Sequence, residues 1–249
     1  MRRHAHALCA FVLASNVLSA VPADGAPPAY PGWQDAPLPD GPVGAAIAQG
    51  RQIVGNVPTY AAAYSGNALS CTNCHLNGGR TPFAAPWVGV WGVFPEYRSR
   101  NAKVNTLADR VNDCFERSLN GRRLPLDAPE MTAILSYMQW LSREVPTGHS
   151  VAGRGFERLP PAGPPDRSRG SQRYAEHCVS CHGADGAGRG EPGHSDFVPP
   201  LWGPRAFNLG AGLARIGNAA AFIRRNMPLG KGGSLSVQDA YDLADYIVH

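Results

Sequence analysis

The chain has 249 residues, of which 43% are hydrophobic and only 17% are charged, with 29 glycines and 23 prolines. This length allows one large or two small domains, and the composition favours loop-rich domains over long regular elements. The formal net charge of +4 is too small for a nucleic-acid-binding protein, so any use of positive charge must be local.

The first 23 residues have the pattern of a secretory leader. A basic start, MRRHAH, precedes the apolar run ALCAFVLASNVLSAV, and VPA provides a cleavage site that ends at Ala23. The apolar run is short for a membrane span, and no later stretch is a candidate, so we expect no span in the mature chain. An uncleaved anchor is the alternative. Residues 1–23 are therefore the predicted signal peptide, residues 24–44 a poorly ordered lead-in, and the periplasm the expected compartment.

Two similar units follow, at residues 45–147 and 166–249, with a linker rich in proline, glycine and arginine at 148–165. Each unit opens with a predicted helix, continues with a Cys-x-x-Cys-His motif and an irregular segment, and closes with a second helix. The two motifs are 107 residues apart, and Tyr137 and Tyr246 of the closing helices are 109 apart. The chain therefore contains a weak internal repeat.

The predicted helices have recognisable bounds. They open the units at 45–54 and 168–177 and close them at 127–141 and 236–248. In the first closing helix, Asp127 is the expected cap, with Pro129 and Glu130 in the first turn. This order of elements is typical of a class I cytochrome c domain. The predicted fold is therefore mainly α, with two such domains in tandem, each wrapped around a covalently attached haem.

The motifs CTNCH and CVSCH carry the strongest chemical signal. Two thiols at this spacing can form thioethers with haem, and the following histidine is placed to bind iron. A redox dithiol would not need the histidine, and a zinc knuckle would need further ligands; a disulfide loop is the third alternative. We expect two haem c groups, attached through Cys71, Cys74, Cys178 and Cys181, with His75 and His182 as iron ligands.

Each ligand histidine should donate its second ring N–H to a backbone carbonyl, which fixes the tautomer of the ring. The carbonyls of Pro86 and Pro200 are the candidates, because they lie downstream of the two motifs. Ordinary loop prolines are the alternative.

Met227, in the stretch NMPLG, is the candidate for the opposite iron ligand in the second unit. A thioether on a loop just before the closing helix can face the iron, whereas a core-filling methionine is the alternative. The first unit has no such methionine. The repeat offset places Ser118 opposite Met227, and Met131 and Met138 fall inside the closing helix, where core packing is the expected role.

Cys114 is the one cysteine of the predicted mature chain outside the two motifs. It lies in LADRVNDCFERSLNG, which can form a helix with Leu107, Val111 and Cys114 on one face. A thiolate can bind haem iron, so Cys114 is the candidate for the opposite ligand in the first unit. A small buried thiol is the alternative.

Basic residues surround Cys114 in sequence. Arg110 and Arg117 lie four residues before and three after it, and so flank it on a helix. The further basic residues nearby are Arg98, Arg100, Lys103, Arg122 and Arg123. Such a cluster would lower the pKa of a thiol and attract small anions. Alternatively, these side chains pair with haem propionates or with Asp109, Asp113 and Glu116.

The sequence resembles the dihaem thiosulfate dehydrogenases over roughly residues 45–248. The stretches that carry the resemblance are CTNCHLNGG, PWVGVWGVFPEYRSR, LADRVNDCFERSLNG, LPLDAPEM, FVPPLWGP and FNLGAGLARIGNAAAFIRRNMPLGKGG. The resemblance implies two class I cytochrome c domains, with His75 and Cys114 binding the first iron and His182 and Met227 the second. Some relatives have a lysine beside the methionine, where this chain has Asn226.

The resemblance also implies a function: oxidation of two thiosulfates to tetrathionate, with electrons leaving through the second haem. We expect Cys114, Arg110 and Arg117 to be the catalytic residues, because a cysteine sulfur can hold one thiosulfate covalently and arginines suit a dianion. The external acceptor would be a small cytochrome c or a high-potential iron–sulfur protein. The alternatives are a dihaem electron carrier without catalysis and a Sox-type cytochrome that joins thiosulfate to a carrier protein's cysteine.

Overall fold

The computed structural model describes residues 37–249, so the predicted signal peptide and most of the predicted lead-in lie outside the described residues. The helices are α1 (Pro42–Gly55), α2 (Val57–Tyr60), α3 (Leu76–Gly79), α4 (Leu107–Arg117), α5 (Pro129–Ser142), α6 (Arg167–His177), α7 (Val179–His182), α8 (Ile216–Asn226) and α9 (Val237–Val248). Strands β1 (Glu96–Arg98) and β2 (Lys103–Asn105) pair antiparallel. No helix in the described part of the chain is long and apolar enough to cross a bilayer.

The two units have the same helix crossing, made possible by one glycine in each. A Cβ on Gly50 of α1 would collide with the backbone of Ala133 and with Tyr137 in α5. A Cβ on Gly170 of α6 would collide in the same way with the backbone of Asp242 and with Tyr246 in α9. Only glycine permits so close a backbone approach. The equivalence of Tyr137 and Tyr246 confirms the internal repeat.

The observed helix bounds lie within three residues of the predicted ones, and all four starts differ; α6 begins at Arg167, one residue before the predicted start. Helix α1 begins at Pro42, inside the segment that we assign to the lead-in. Asp127 is not the cap of α5: the helix begins at Pro129 after Ala128, which makes no capping hydrogen bond. The position before a first-turn proline is already extended, so the chain needs no acidic side chain to start the helix there. In contrast, α9 begins one residue after the predicted start, because Ser236 caps it in a reciprocal pair with Asp239.

Helix α4, which carries Cys114, is held firmly at both ends. Thr106 and Asp109 form a capping box at its start. Further along, the buried side chain of Asn112 donates to the Leu124 carbonyl at 3.0 Å and accepts from the Leu124 N–H at 2.8 Å. These bonds fix the helix and the returning chain to each other, and so set the position of the Cys114 sulfur.

Helices α4 and α8 are equivalent elements of the two units. Each has 11 residues, and each residue of α4 corresponds to the residue 109 positions later in α8. Ser118 is the C-cap of α4, and Met227 is the C-cap of α8. The sequence offset is therefore confirmed: Ser118 occupies the position of Met227. Cys114 corresponds to Ile223, one helical turn earlier.

A segment of the second unit, residues 205–210, binds the C-terminal end of α4. The Asn208 N–H donates to the Arg117 carbonyl at 3.1 Å, and its side-chain amide donates to the Glu116 carbonyl at 3.0 Å. Asn67 bridges the two units, since its amide donates at 2.9 Å to the carbonyls of both Ser118 and Ala206. The free carbonyls at the end of α4 are thus satisfied partly by the second unit.

The linker is also attached to the first unit. Gly153 and Gly155 accept hydrogen bonds from the N–H groups of Phe83 and Ala85, at 2.7 and 2.8 Å. Next to them, Phe156 stacks edge-on against Phe222 of α8, with the ring centres 6.3 Å apart. The linker therefore contacts both units and forms part of the wall between them.

Candidate active site at the first Cys-x-x-Cys-His motif

The His75 ring is oriented by a backbone carbonyl, as expected, but the acceptor is Ala85 rather than Pro86. His75 Nδ1 lies 2.5 Å from the Ala85 oxygen, and because a carbonyl can only accept, Nδ1 carries the proton. Ala85 has a φ of 48°, and its N–H is held by Gly155. This left-handed conformation turns the Ala85 carbonyl toward His75. The acceptor therefore lies one residue before the predicted acceptor, Pro86. With Nδ1 protonated, the other ring nitrogen, Nε2, carries the lone pair that a metal can bind, and the ring also interacts with the Cys114 sulfur.

Cys114 faces His75 and bonds to Arg110. The Arg110 Nη1 lies 2.9 Å from the Cys114 Sγ. Burial by itself would raise the pKa of the Cys114 thiol, but the charge of Arg110 and the interaction with His75 lower that pKa from 9.0 to about 6. The sulfur is therefore a thiolate near neutral pH, the form that binds metals and attacks electrophiles.

The two cysteines of the motif differ from Cys114. Burial, followed by the charge of Cys114, raises the pKa of Cys74 to about 12 and raises that of Cys71 as well. Among these three neighbouring sulfurs, Cys114 alone has a lowered pKa. Arg110, which bonds directly to that sulfur, and His75 together account for the difference.

Two adjoining cavities surround these side chains. The smaller, of about 40 Å³, lies among Cys71, Cys74 and His75 on one side and Cys114 on the other. Its remaining lining is mainly apolar and includes Trp87, Val111, Phe115, Leu119, Ile134 and Met138. The larger, of about 870 Å³, shares His75 and Cys114 and opens beyond them. Met131 and Met138 are both buried in the first core, as expected, and Met138 also lines both cavities.

The larger cavity is rich in arginine. Those that line it are Arg98, Arg100, Arg110, Arg117, Arg154 and Arg215. The structure thus brings four of the arginines considered from sequence to the site, including Arg110 and Arg117. It adds two that sequence reasoning missed, Arg154 from the linker and Arg215 from the second unit. No local pattern marks either, because only the tertiary fold brings them to Cys114.

Three other basic residues near Cys114 in sequence do not reach the cavity. Arg123 pairs with Asp109 and Glu116 at 3.3 and 3.2 Å, and Arg122 donates to the Ala63 carbonyl at 2.7 Å. Lys103 is exposed on β2. Asn120, with a φ of 50°, turns the chain after α4 and so directs Arg122 and Arg123 away from the sulfur. For Arg123 the alternative of pairing with Asp109 and Glu116 is therefore confirmed, whereas Arg122 binds a backbone carbonyl instead.

The second motif repeats the histidine geometry of the first. His182 Nδ1 lies 3.0 Å from the Pro199 oxygen, one residue before the expected Pro200. Burial, with a smaller effect of Arg189, lowers the pKa of His182, although the bond to Pro199 acts in the opposite direction. Cys178 and Met227 both pack against the second core. The position equivalent to Arg110 is Ala219, so this unit lacks the arginine that faces Cys114.

The side chains at the first motif fit a haem c. Two cysteines, a histidine whose Nε2 carries a lone pair and a mainly apolar cavity wall are the groups that such a cofactor needs. Cys114 lies across the cavity from this set, where it could provide a sulfur ligand. The second motif offers the same cysteines and an equally oriented histidine, with Met227 as a thioether in the same core.

Comparison with known proteins agrees with this geometry. The family profile described as SoxA/TsdA, cytochrome c domain, matches residues 58–147. The profile described as cytochrome c oxidase, cbb3-type, subunit III, matches residues 165–247. Both units are therefore cytochrome c domains, a class of domain that binds haem c.

Whole-chain relatives are more specific. Over 215 residues, the chain is 45% identical to the thiosulfate dehydrogenase of Allochromatium vinosum, covering 85% of this chain and 80% of that one. It is 46% identical to that of Stutzerimonas stutzeri, covering 86% and 70%. It also matches the solved structure of the thiosulfate dehydrogenase TsdBA from Marichromatium purpuratum at 41% identity, with a TM-score of 0.82; the match spans 89% of this chain and 48% of that one. The chain thus belongs to the thiosulfate dehydrogenase family, with two cytochrome c domains in tandem.

Proposed function

We propose that this protein is a periplasmic enzyme with two haem c groups that oxidises two thiosulfate dianions to one tetrathionate dianion and two electrons. The observation that carries the proposal is the contact between Arg110 and the Cys114 sulfur at the inner end of an arginine-lined cavity. A small dianion with a nucleophilic sulfur matches this cavity, because arginines can bind its oxygens and the reactive Cys114 sulfur lies next to them. The relatives named thiosulfate dehydrogenase support the choice of substrate.

The chemistry that we assign to Cys114 has two steps. First, its thiolate and one thiosulfate form a sulfur–sulfur bond, giving Cys–S–S–SO₃⁻ and releasing two electrons. Second, another thiosulfate attacks the outer sulfur of this adduct, which forms tetrathionate and returns the electron pair to Cys114 as a thiolate. Covalent capture in this way divides a difficult oxidation into two simpler steps. The second step needs no oxidant. Tetrathionate reduction would use both steps in reverse: the thiolate takes one half of tetrathionate and releases a thiosulfate, and two electrons then cleave the adduct into the thiolate and a second thiosulfate.

Each residue of the site has a role in these steps. Arg110 stabilises the thiolate and screens the arriving dianion, and Arg117, which pairs with Asp113 at 3.2 Å, adds to the positive field. His75 and Cys114 would hold one iron, and His182 and Met227 the other, with the thioethers formed by Cys71, Cys74, Cys178 and Cys181. When bound, the haems supply one-electron acceptance and a route to an external small cytochrome c or high-potential iron–sulfur protein.

The division of labour between the units follows from these roles. We assign the catalytic haem to residues 45–147 and the electron-exit haem to residues 166–249, with 148–165 as the linker. Electron exit suits the second unit, because its helix α8 has Ala219 and Ile223 where α4 has Arg110 and Cys114. Export through the predicted signal peptide at 1–23 would place the enzyme in the periplasm. That compartment suits both the covalent attachment of haem c and access to thiosulfate from outside the cytoplasm.

Replacing Met227 tests the ligand assignment of the second haem. In Met227→Gly, the absorption band that arises from methionine–iron ligation should disappear, while the bands of the thiolate-ligated haem persist, because Met227 and Cys114 belong to different units. Met131→Leu is the matched control, since Met131 is fully buried in the first core. If Met131→Leu removes the methionine band, the assignment of Met227 is wrong.

A turnover assay on the isolated protein tests the proposed function. With thiosulfate and ferricyanide, the protein alone should form one tetrathionate for every two thiosulfates consumed and two electrons transferred. A plain electron carrier would show no thiosulfate-dependent reduction of the acceptor. A Sox-type cytochrome would consume thiosulfate only when a carrier protein with an acceptor cysteine is added.

A further inference from the structure

The arginines of the larger cavity differ in whether an anion of the protein neutralises them. Arg98 and Arg154 share Glu96, at 3.3 and 3.0 Å, and Arg117 pairs with Asp113. Arg110 bonds to the Cys114 sulfur. Within residues 37–249, Arg100 and Arg215 have neither an ion pair nor a side-chain hydrogen bond. Neither of these two cations therefore forms an ion pair within the described residues, although the charge of Asp113 attracts Arg100.

These two arginines come from different parts of the fold and face the same space. Arg100 follows β1 in the first unit, whereas Arg215 precedes α8 in the second. Partial burial, followed by repulsion from Arg117 and Arg215, lowers the pKa of Arg100, although the charge of Asp113 acts in the opposite direction. Arg100 and Arg215 are therefore close enough to repel each other. An anion placed between them would relieve this repulsion.

The position of Arg215 depends on how the second unit docks. Residues 205–210 bind the carbonyls at the end of α4, and Gly210 packs closely against the Arg117 side chain. Gly210, Gly212 and Asn218 line the cavity together with Arg215. The second unit therefore contributes one part of the cavity wall, and Arg110 and Cys114 of the first unit contribute another.

We propose that Arg100 and Arg215 form a second anion subsite, which binds the thiosulfate that attacks the adduct on Cys114. This inference rests on the proposed function. In the attack, a bond forms between the sulfane sulfurs of the two thiosulfates, and the bond to the Cys114 sulfur breaks with its electron pair. A singly charged adduct and a dianion become a thiolate and the tetrathionate dianion, so charge and electrons balance. Two further cations are needed because the groups that react are both negative.

The subsite predicts a particular kinetic change in Arg215→Gln. The thiosulfate concentration that gives half-maximal rate should rise about tenfold, as expected for the loss of one charge-assisted contact. The maximal rate should change little, because no reacting atom is lost. Arg100→Gln should show the same rise in the half-maximal thiosulfate concentration, and this variant provides the test if Arg215→Gln does not fold. Arg205→Gln is the matched control: Arg205 lies in the same unit, 3.9 Å from Glu191, and does not line this cavity.

A stepwise experiment separates the two subsites. The oxidised holoenzyme is given one equivalent of thiosulfate, and the adduct on Cys114 is measured by intact mass; a second portion of thiosulfate then releases it. In Arg215→Gln, adduct formation should be unchanged and release should slow about tenfold at limiting thiosulfate. Slower adduct formation with normal release would overturn the inference, because the arginine would then serve the first thiosulfate.

Two further measurements keep this inference apart from the proposed function. Sulfate, a dianion without a sulfane sulfur, should bind about tenfold more weakly to Arg215→Gln than to the unaltered holoenzyme in calorimetry. If the protein makes no tetrathionate, the proposed function fails, but weakened sulfate binding would still support the anion site. Equal sulfate binding would refute the site. A shifted haem spectrum with unchanged thiosulfate dependence would also refute it, since the arginine would then pair with a haem carboxylate.

Discussion

Cys114→Met is expected to give a protein that keeps both haems and its redox activity but loses thiosulfate turnover by about a thousandfold or more, as is typical when a covalent nucleophile is removed. A thioether can still bind iron, but it cannot form a bond to thiosulfate and return as a thiolate. The variant therefore separates ligation from catalysis at a single sulfur. Steady-state tetrathionate formation, together with the visible spectrum and intact mass, measures the three properties independently.

Cys114→Gly completes this test, because it removes the sulfur altogether. It should also abolish tetrathionate formation while both haems stay attached through Cys71, Cys74, Cys178 and Cys181. The two variants should then differ in the spectrum of the first haem but not in activity. Near-normal turnover in Cys114→Met would mean that ligation suffices, and it would remove the covalent mechanism in favour of electron transfer alone.

Arg110→Ala is expected to lower kcat/KM for thiosulfate by about a hundredfold, the size of a lost charge-assisted contact in a partly buried site. An arginine that only held the dianion would act mainly on KM. The bond of Arg110 to the Cys114 sulfur adds a second effect, because the thiolate loses its stabilising charge. Both kcat and KM should therefore change, and steady-state kinetics over a range of thiosulfate concentrations can resolve them.

Arg123→Ala is the control for Arg110→Ala, because it removes the same charge from nearby sequence. Arg123 pairs with Asp109 and Glu116 on the outer surface and does not line the cavity. Arg110→Lys should recover part of the lost activity, since it keeps the charge without the planar group. An equal loss of kcat/KM in Arg123→Ala would show that Arg110 acts through the long-range positive field rather than through contact with the Cys114 sulfur.

Much of the fold could be predicted because it depends on local signals. The Cys motifs, the helix around Cys114 and the four principal helices of the units are visible in the chain as short patterns, and they occur where expected. The offset between Tyr137 and Tyr246 is also reliable, because it reflects a helix crossing that Gly50 and Gly170 make in both units. The importance of those two glycines could not be seen, since it depends on which backbone lies opposite.

The site was less predictable wherever it depends on long-range contacts or on single backbone angles. Arg154 and Arg215 reach the cavity only because the linker and the second unit fold over α4. The carbonyl that orients His75 belongs to Ala85 because Ala85 has a left-handed φ, and no pattern in the sequence predicts that angle. In the same way, the turn at Asn120 separates Arg122 and Arg123 from the arginines that line the site.

The equivalence of α4 and α8 bears on how a duplicated electron carrier could acquire an enzyme activity. Both copies keep an 11-residue helix ending at the same place, so the ancestral scaffold did not have to change. At this helix the copies differ in the place of the sulfur, which is at the C-cap in α8 (Met227) and one turn earlier in α4 (Cys114), and in Arg110, where α8 has Ala219. Reactivity could thus evolve through a few substitutions in one copy, while the other continued to carry electrons.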